Sequence, residues 1–180
     1  TQIAPYLGRD YRDACNVSSL LWRLENEGVD VGKRWQPLVE IARARFGDHR
    51  LAFSDLHYAL SLAAAGKLQE AEAFTSSMQT AGGAVHRRIG VPLASGIVAL
   101  CARRAARAVE HILPIADSLA PLGGSNAQRD LFALVLTEAA LRSGQRDLAK
   151  SLLSQRLEAR PGNRWAHERL RQLTSRRVAA

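Results

Sequence analysis

Apolar side chains recur at helical spacing along almost the whole chain, in runs broken by Gly, Pro, Asn and Asp. The pattern predicts a first helix over 13–27, with Val17, Leu20, Leu21 and Leu24 on one face. Gly28 ends it, and a loop covers 29–34. A second helix over 35–46 carries Pro37 in its first turn, where a missing N–H costs little. The third, over 53–65, starts behind a Ser54 or Asp48 cap and stops at Gly66; a helix over 68–79 follows at once, so the two form a tight antiparallel hairpin. Residues 81–90 form a loop of small and basic side chains. Pro92 opens a helix to 102, and its partner over 105–119 is kinked or broken by Pro114 near its last turn. After Gly123 and Gly124, Ser125-x-x-Gln128 is a capping box opening a helix to 142. A helix over 148–160 is closed by Pro161, and Asn163 caps a last one over 164–176. No alternating segment is long enough for a strand. The expected class is all-α, with eight or nine helices.

The helices also repeat. Ala71, Ala108 and Ala149 take equivalent places on three second helices, and twelve positions earlier stand Ala59, Gly96 and Thr137, all small. Small residues facing one another let paired helices approach closely. Near the C-terminus, Gly144, Ala149, Leu153 and Pro161 stand where a tetratricopeptide (TPR) helix pair places its turn, small residue, bulky apolar residue and terminating proline. The spacings of 37 and 41 residues make the repeats irregular, and the turn glycine seen at Gly66 and Gly144 is Arg103 in the middle repeat. The expected architecture is one TPR-like superhelical domain over 1–180, with helix pairs at about 13–47, 53–79, 92–119 and 125–160 and a capping helix at 164–176.

Composition narrows the classes. The 180 residues are 47% hydrophobic and 23% charged, with no apolar run of the roughly 20 residues that span a bilayer. There is no signal-peptide pattern, and the chain opens on Thr1, as a processed or excised piece would. Cys15 and Cys101 show no metal-ligand spacing; two reduced thiols in a cytoplasmic, Arg-rich bacterial protein are expected, with a disulfide as the alternative. The net charge of +8 lies in the second half, and nearly all of the basic residues are Arg.

Three motifs, SSLLWRLENEGVDVGKRW (18–35), FSDLHYALSLAAAG (53–66) and GGSNAQRDLF (123–132), resemble in this order the C-terminal half of the tetratricopeptide repeat protein 38 family. The resemblance runs from about Asp13 to Pro161. The chain departs from the family pattern at Asn126, where GGSHAQRD would place a His, and at Arg103–Arg104, where a Gly-Asp turn is usual. The resemblance implies a longer parent with further repeats ahead of Thr1, and no reaction.

In a TPR-like stack the first helix of each pair lines the groove. Its inward residues here are Phe53, Leu56, Leu60, Leu93, Ile97, Leu100, Leu131, Leu134, Leu141, Glu138 and Arg142. With Arg142 as the single cation, this surface is a poor carboxylate clamp. It suits a hydrophobic peptide, or is filled by the parent's own N-terminal repeats; the second is preferred. Asp55 and His57 open one groove helix while Ser125, Arg129 and Asp130 open another, which makes their shared edge the candidate small polar site. The five histidines lack i, i+4 pairs and HExxH, so no metal is expected; no cofactor and no catalytic constellation are expected either. The leading expectation is a non-enzymatic scaffold binding a protein or peptide. The alternatives are a ligand or catalytic site shared with absent N-terminal repeats, and nucleic-acid contact through the seven Arg of 156–177.

Overall fold

The computed structural model describes residues 10–175. It is all-α, with no strand among those residues. The helices are α1 (Tyr11–Asn26), α2 (Gln36–Ala44), α3 (Ala52–Ala64), α4 (Leu68–Ala81), α5 (Val91–Cys101), α6 (Ala105–Ile112), α7 (Asn126–Arg142), α8 (Arg146–Ala159) and α9 (Arg164–Ser175). Antiparallel neighbours α3/α4, α5/α6 and α7/α8 pack in succession, and α9 closes on α8. Residues 1–9 and 176–180, with Arg176 and Arg177 of the basic end, lie outside the described residues.

Three helix ends are built alike. The N–H groups of Lys67, Arg104 and Gln145 reach back to the carbonyls of Leu62, Ala99 and Ala140 at 2.8–3.0 Å, closing each first helix around a left-handed residue. That residue is Gly66 (φ 77°), Arg103 (φ 60°) and Gly144 (φ 74°). Arg103 therefore holds the turn geometry of its glycine counterparts at the cost of its Cβ. The small residues of the repeat are core: Ala59, Ala71, Ala108 and Ala149 are fully buried, and a Cβ on Gly96 would lie 2.3 Å from Ile112 Cγ1 and 3.1 Å from the Ala108 carbonyl oxygen.

Several local expectations change. Leu51, not Ser54 or Asp48, occupies the N-cap of α3; Ser54 donates to the Leu51 carbonyl, and Asp48 is taken by Arg45 and Arg50. The predicted loop 81–90 ends in a π-helical turn, His86–Gly90, continuous with α5. Leu20 is exposed, because α1 buries the face of Ala14, Cys15, Ser18, Leu21 and Trp22 instead. The break at Pro114 appears as a 3-10 segment, Leu113–Ser118, following α6. The capping box of α7 is complete, with Ser125 N–H donating to Gln128 Oε1 at 2.9 Å and Gln128 N–H to Ser125 Oγ at 3.2 Å. Asn163 accepts from Ala166 N–H as expected of a cap.

The placement of α1 matters most for function. It lies along α3 and reaches α7, so α3 is enclosed by α1, α2, α4 and α5 and is buried from Ala52 to Ala63.

Candidate functional site

The expected groove is core in this chain. Phe53, Leu56, Leu60, Leu93, Ile97, Leu100, Leu131, Leu134 and Glu138 are each no more than 7% exposed. The physical reason is packing within the chain: α1 and α2 lie along α3, α5 is held by α3, α4 and α6, and α7 by α6 and α8, so this apolar face offers no open channel. Leu141 is partly buried, and of these residues Arg142 stands most open to solvent.

The N-terminal ends of α3 and α7 do share an edge, but their polar groups diverge into separate networks. His57 packs between Phe53 and Phe132, with ring centroids at 4.6 and 5.6 Å. Its Nδ1–H donates to the Phe53 carbonyl at 2.8 Å, leaving Nε2 to accept from Ser19 Oγ at 3.2 Å. Burial, aided by the Arg23 charge, pushes its pKa down to about 4, so the ring is neutral. Arg129 turns back onto the Gly123 carbonyl (2.8 Å) and Asn126 Oδ1 (2.6 Å), serving its own turn. Asp130 accepts two bonds from Arg156, at 2.7 and 2.9 Å, and one from Arg160 at 3.0 Å. Burial acts to raise its pKa, but Arg156 and Arg160 outweigh burial and hold it below the usual carboxylate range. Two guanidiniums of the basic C-terminal end are thus committed to Asp130 rather than free for phosphates.

Asp55 belongs to a cluster that the sequence did not announce. His49, from the turn before α3, places Nδ1 2.9 Å from Asp55 Oδ2; His86, from the π-helical turn, places Nε2 3.0 Å from the same oxygen. All three are buried, and burial pushes the Asp55 carboxyl upward while both imidazoles act to lower it. Their sequence separations of 6 and 31 residues match no metal spacing rule, and only the packing of three elements unites them.

The three ligand-type atoms lie within 4.8 Å of one another. Proton bookkeeping nonetheless favours a hydrogen-bonded network over a metal centre. Gly83 N–H donates to His86 Nδ1 at 3.2 Å, so the proton of the neutral ring sits on Nε2 and points at Asp55. A metal there would displace that proton and break the Gly83 bond.

On the far side, His49 Nε2 lies 2.7 Å from Ser77 Oγ, which is also 2.9 Å from the Phe74 carbonyl. Ser77, His49 and Asp55 follow the order nucleophile, base, orienter. However, Ser77 sits inside α4, where backbone N–H groups are spent on the helix, and no oxyanion site accompanies it among the described residues. The cluster is a staple: one carboxylate holds two loops against α3. Cys15 and Cys101 are free, with burial pushing both thiols up to about 12, far from a reactive thiolate.

What remains open is the opposite, C-terminal end of the same helices. A cavity of about 480 Å³ is lined by Glu138, Leu141, Arg142, Arg146, Arg169, Gln172 and Leu173, from α7, α8 and α9. Arg142 also borders a second cavity of about 350 Å³, against Trp22, Asn26, Leu100 and Cys101. Arg142 Nε donates to Glu138 Oε1 at 2.6 Å, whereas Glu138 Oε2 is buried with no partner. Arg169 is steadied over the Trp165 ring at 5.8 Å and donates to the Asn26 carbonyl at 3.1 Å; Arg146 donates to the Leu173 carbonyl. Neither Arg146 nor Arg169 pairs with a carboxylate among the described residues, so three guanidiniums face one carboxylate. Sequence reasoning found Glu138 and Arg142 through helical register but missed Arg146 and Arg169, which arrive from the next two helices.

No family model and no solved structure matches the chain. No helix among the described residues is long and apolar enough to cross a membrane.

Proposed function

We propose that this chain is a TPR-like helical-repeat scaffold, akin to the C-terminal half of the tetratricopeptide repeat protein 38 family, that recognises its partner without catalysing a reaction. Three alike helix ends and the close approach of α5 to α6 at Gly96 support the repeat reading. The observation that carries the functional reading is the path of α1. α1 lies along the apolar face of α3 and touches α7, which closes the groove expected from register; among the concave surfaces left, the end lined by Arg142, Arg146, Arg169 and Gln172 carries two guanidiniums without a carboxylate partner among the described residues. Recognition there is polar and anion-directed, in place of the hydrophobic groove expected from register. The side chains that would serve chemistry are absorbed elsewhere: Asp55, His49 and His86 in the staple, His57 in an aromatic sandwich, Asp130 under Arg156.

Panning a random-peptide library against the intact protein tests this. Acidic peptides should be enriched, and the double variant Arg142→Glu, Arg169→Glu should lose them while remaining folded by circular dichroism. Enrichment that persists in the double variant, or none at all, would contradict the reading.

A further inference from the structure

Apart from the arginine-lined end, a smaller cavity of about 270 Å³ lies where the 3-10 segment after α6 meets the N-terminal half of α7 and the C-terminal half of α8. Its walls are mostly apolar, with Leu119, Leu136 and Leu152 among them. Leu119 and Leu152 are only partly buried, so part of that apolar wall is open. An apolar cleft with a few polar groups at its edge is the usual form of a small-ligand site.

The polar side chains of the lining divide into spent and unspent. Asp130 is taken by Arg156 and Arg160, and Thr137 donates to the Ala133 carbonyl. Arg156 gives both terminal nitrogens to Asp130 and its Nε is buried, so it offers a ligand nothing. Asp117 differs: it is exposed and has no ion pair or hydrogen bond among the described residues. Arg160 is 47% exposed and spends only Nη1 on Asp130, which leaves the Nε/Nη2 edge of its fork for a second carboxylate. The cavity therefore keeps one uncommitted carboxylate and one half-used guanidinium. A purely anionic ligand would meet the charge of Asp117 and a purely cationic one that of Arg160; a ligand bearing both charges suits both.

The chain path places those charges together. Asp117 stands past the C-terminal end of α6 and Arg160 just past that of α8, whereas Leu136 and Leu152 lie within α7 and α8, about two turns in from Asp130 and Arg160. The matching ligand holds its ammonium and carboxylate at one end of an apolar body. At about 270 Å³ the cavity falls just under the roughly 300–1,000 Å³ of drug-sized sites, which suits a body of one side chain. We propose that it binds a free apolar α-amino acid. The carboxylate accepts from Arg160, the ammonium donates to Asp117, and the side chain packs on Leu136 and Leu152.

Titration calorimetry of the intact protein tests this with L-leucine, L-phenylalanine and four analogues. The analogues are 4-methylpentanoate, which lacks the ammonium, 3-methylbutylamine, which lacks the carboxylate, and glycine, which lacks the body. The fourth, 6-aminohexanoate, is an isomer of leucine with its charges at opposite ends. The tighter of the two amino acids should bind at least about tenfold better than every analogue. Asp117→Asn should bring leucine and 4-methylpentanoate within about threefold of each other, and Arg160→Gln should do the same for leucine and 3-methylbutylamine. Both residues are exposed and Arg156 still holds Asp130, so each variant should keep the circular dichroism of the wild type. No binding of either amino acid at millimolar concentration, equal binding of leucine and 6-aminohexanoate or a singly charged analogue, or discrimination that survives Asp117→Asn would overturn the proposal.

Discussion

Arg103 and His57 show how single residues carry costs that their surroundings repay. Arg103 is exposed and left-handed at a turn where its counterparts are glycine. Arg103→Gly should relieve its strain, partly offset by a more flexible unfolded chain, for a net gain of about 0.5–1 kcal/mol in urea denaturation; a loss of stability would show that the side chain earns its place. His57 is neutral in the fold, with a pKa of about 4, whereas in the unfolded chain it takes up a proton near pH 6.5. A depressed folded pKa means stability that is whole above about pH 6.5 and falls as pH drops towards 4, by about 3 kcal/mol for this group. In His57→Gln that part of the pH dependence should flatten, which a pH series of urea midpoints would read.

At the scale of elements, close pairs and loop staples fix the stack. Gly96 lets α5 lie against Ile112 and the backbone of Ala108 in α6, so Gly96→Val should cost about 1–3 kcal/mol through overpacking, measured as a drop in thermal midpoint. Asp55→Asn should loosen the staple, because both imidazoles bond the single oxygen Oδ2 and a neutral amide oxygen there accepts more weakly than the carboxylate. A loss of about 2–4 kcal/mol is expected, with faster amide exchange across 82–90 than in α4. Unchanged protection of that turn would mean that His86 is not what holds it. The helices themselves were legible because period, proline, glycine and capping residues act locally; the Ser125 box and the Pro114 break are examples. The staple was not, since His49, Asp55 and His86 come together only when the turn before α3 and the π-helical turn close on one helix. The same limit hid Arg146 and Arg169: register on α7 reveals Glu138 and Arg142 but not what α8 and α9 bring beside them.

Across the whole molecule, the apolar inner surface predicted from helical register exists, but α1 belongs to it. A chain with this much buried area on α3 cannot leave that face to water without losing several kcal/mol, since each large apolar side chain buried contributes about 1.5–3 kcal/mol. Cover by α1 is also why the proposed recognition surface is the arginine-lined end rather than the apolar face. Native-state hydrogen exchange on the intact protein tests this closure most directly. Amides of Ala14–Glu25 should exchange only through the same global opening that exposes α3 and α7, with matching free energies and a shared response to urea. Exchange of α1 at a markedly lower free energy than α3, by an opening of its own, would show a detachable helix over an open groove and contradict the account.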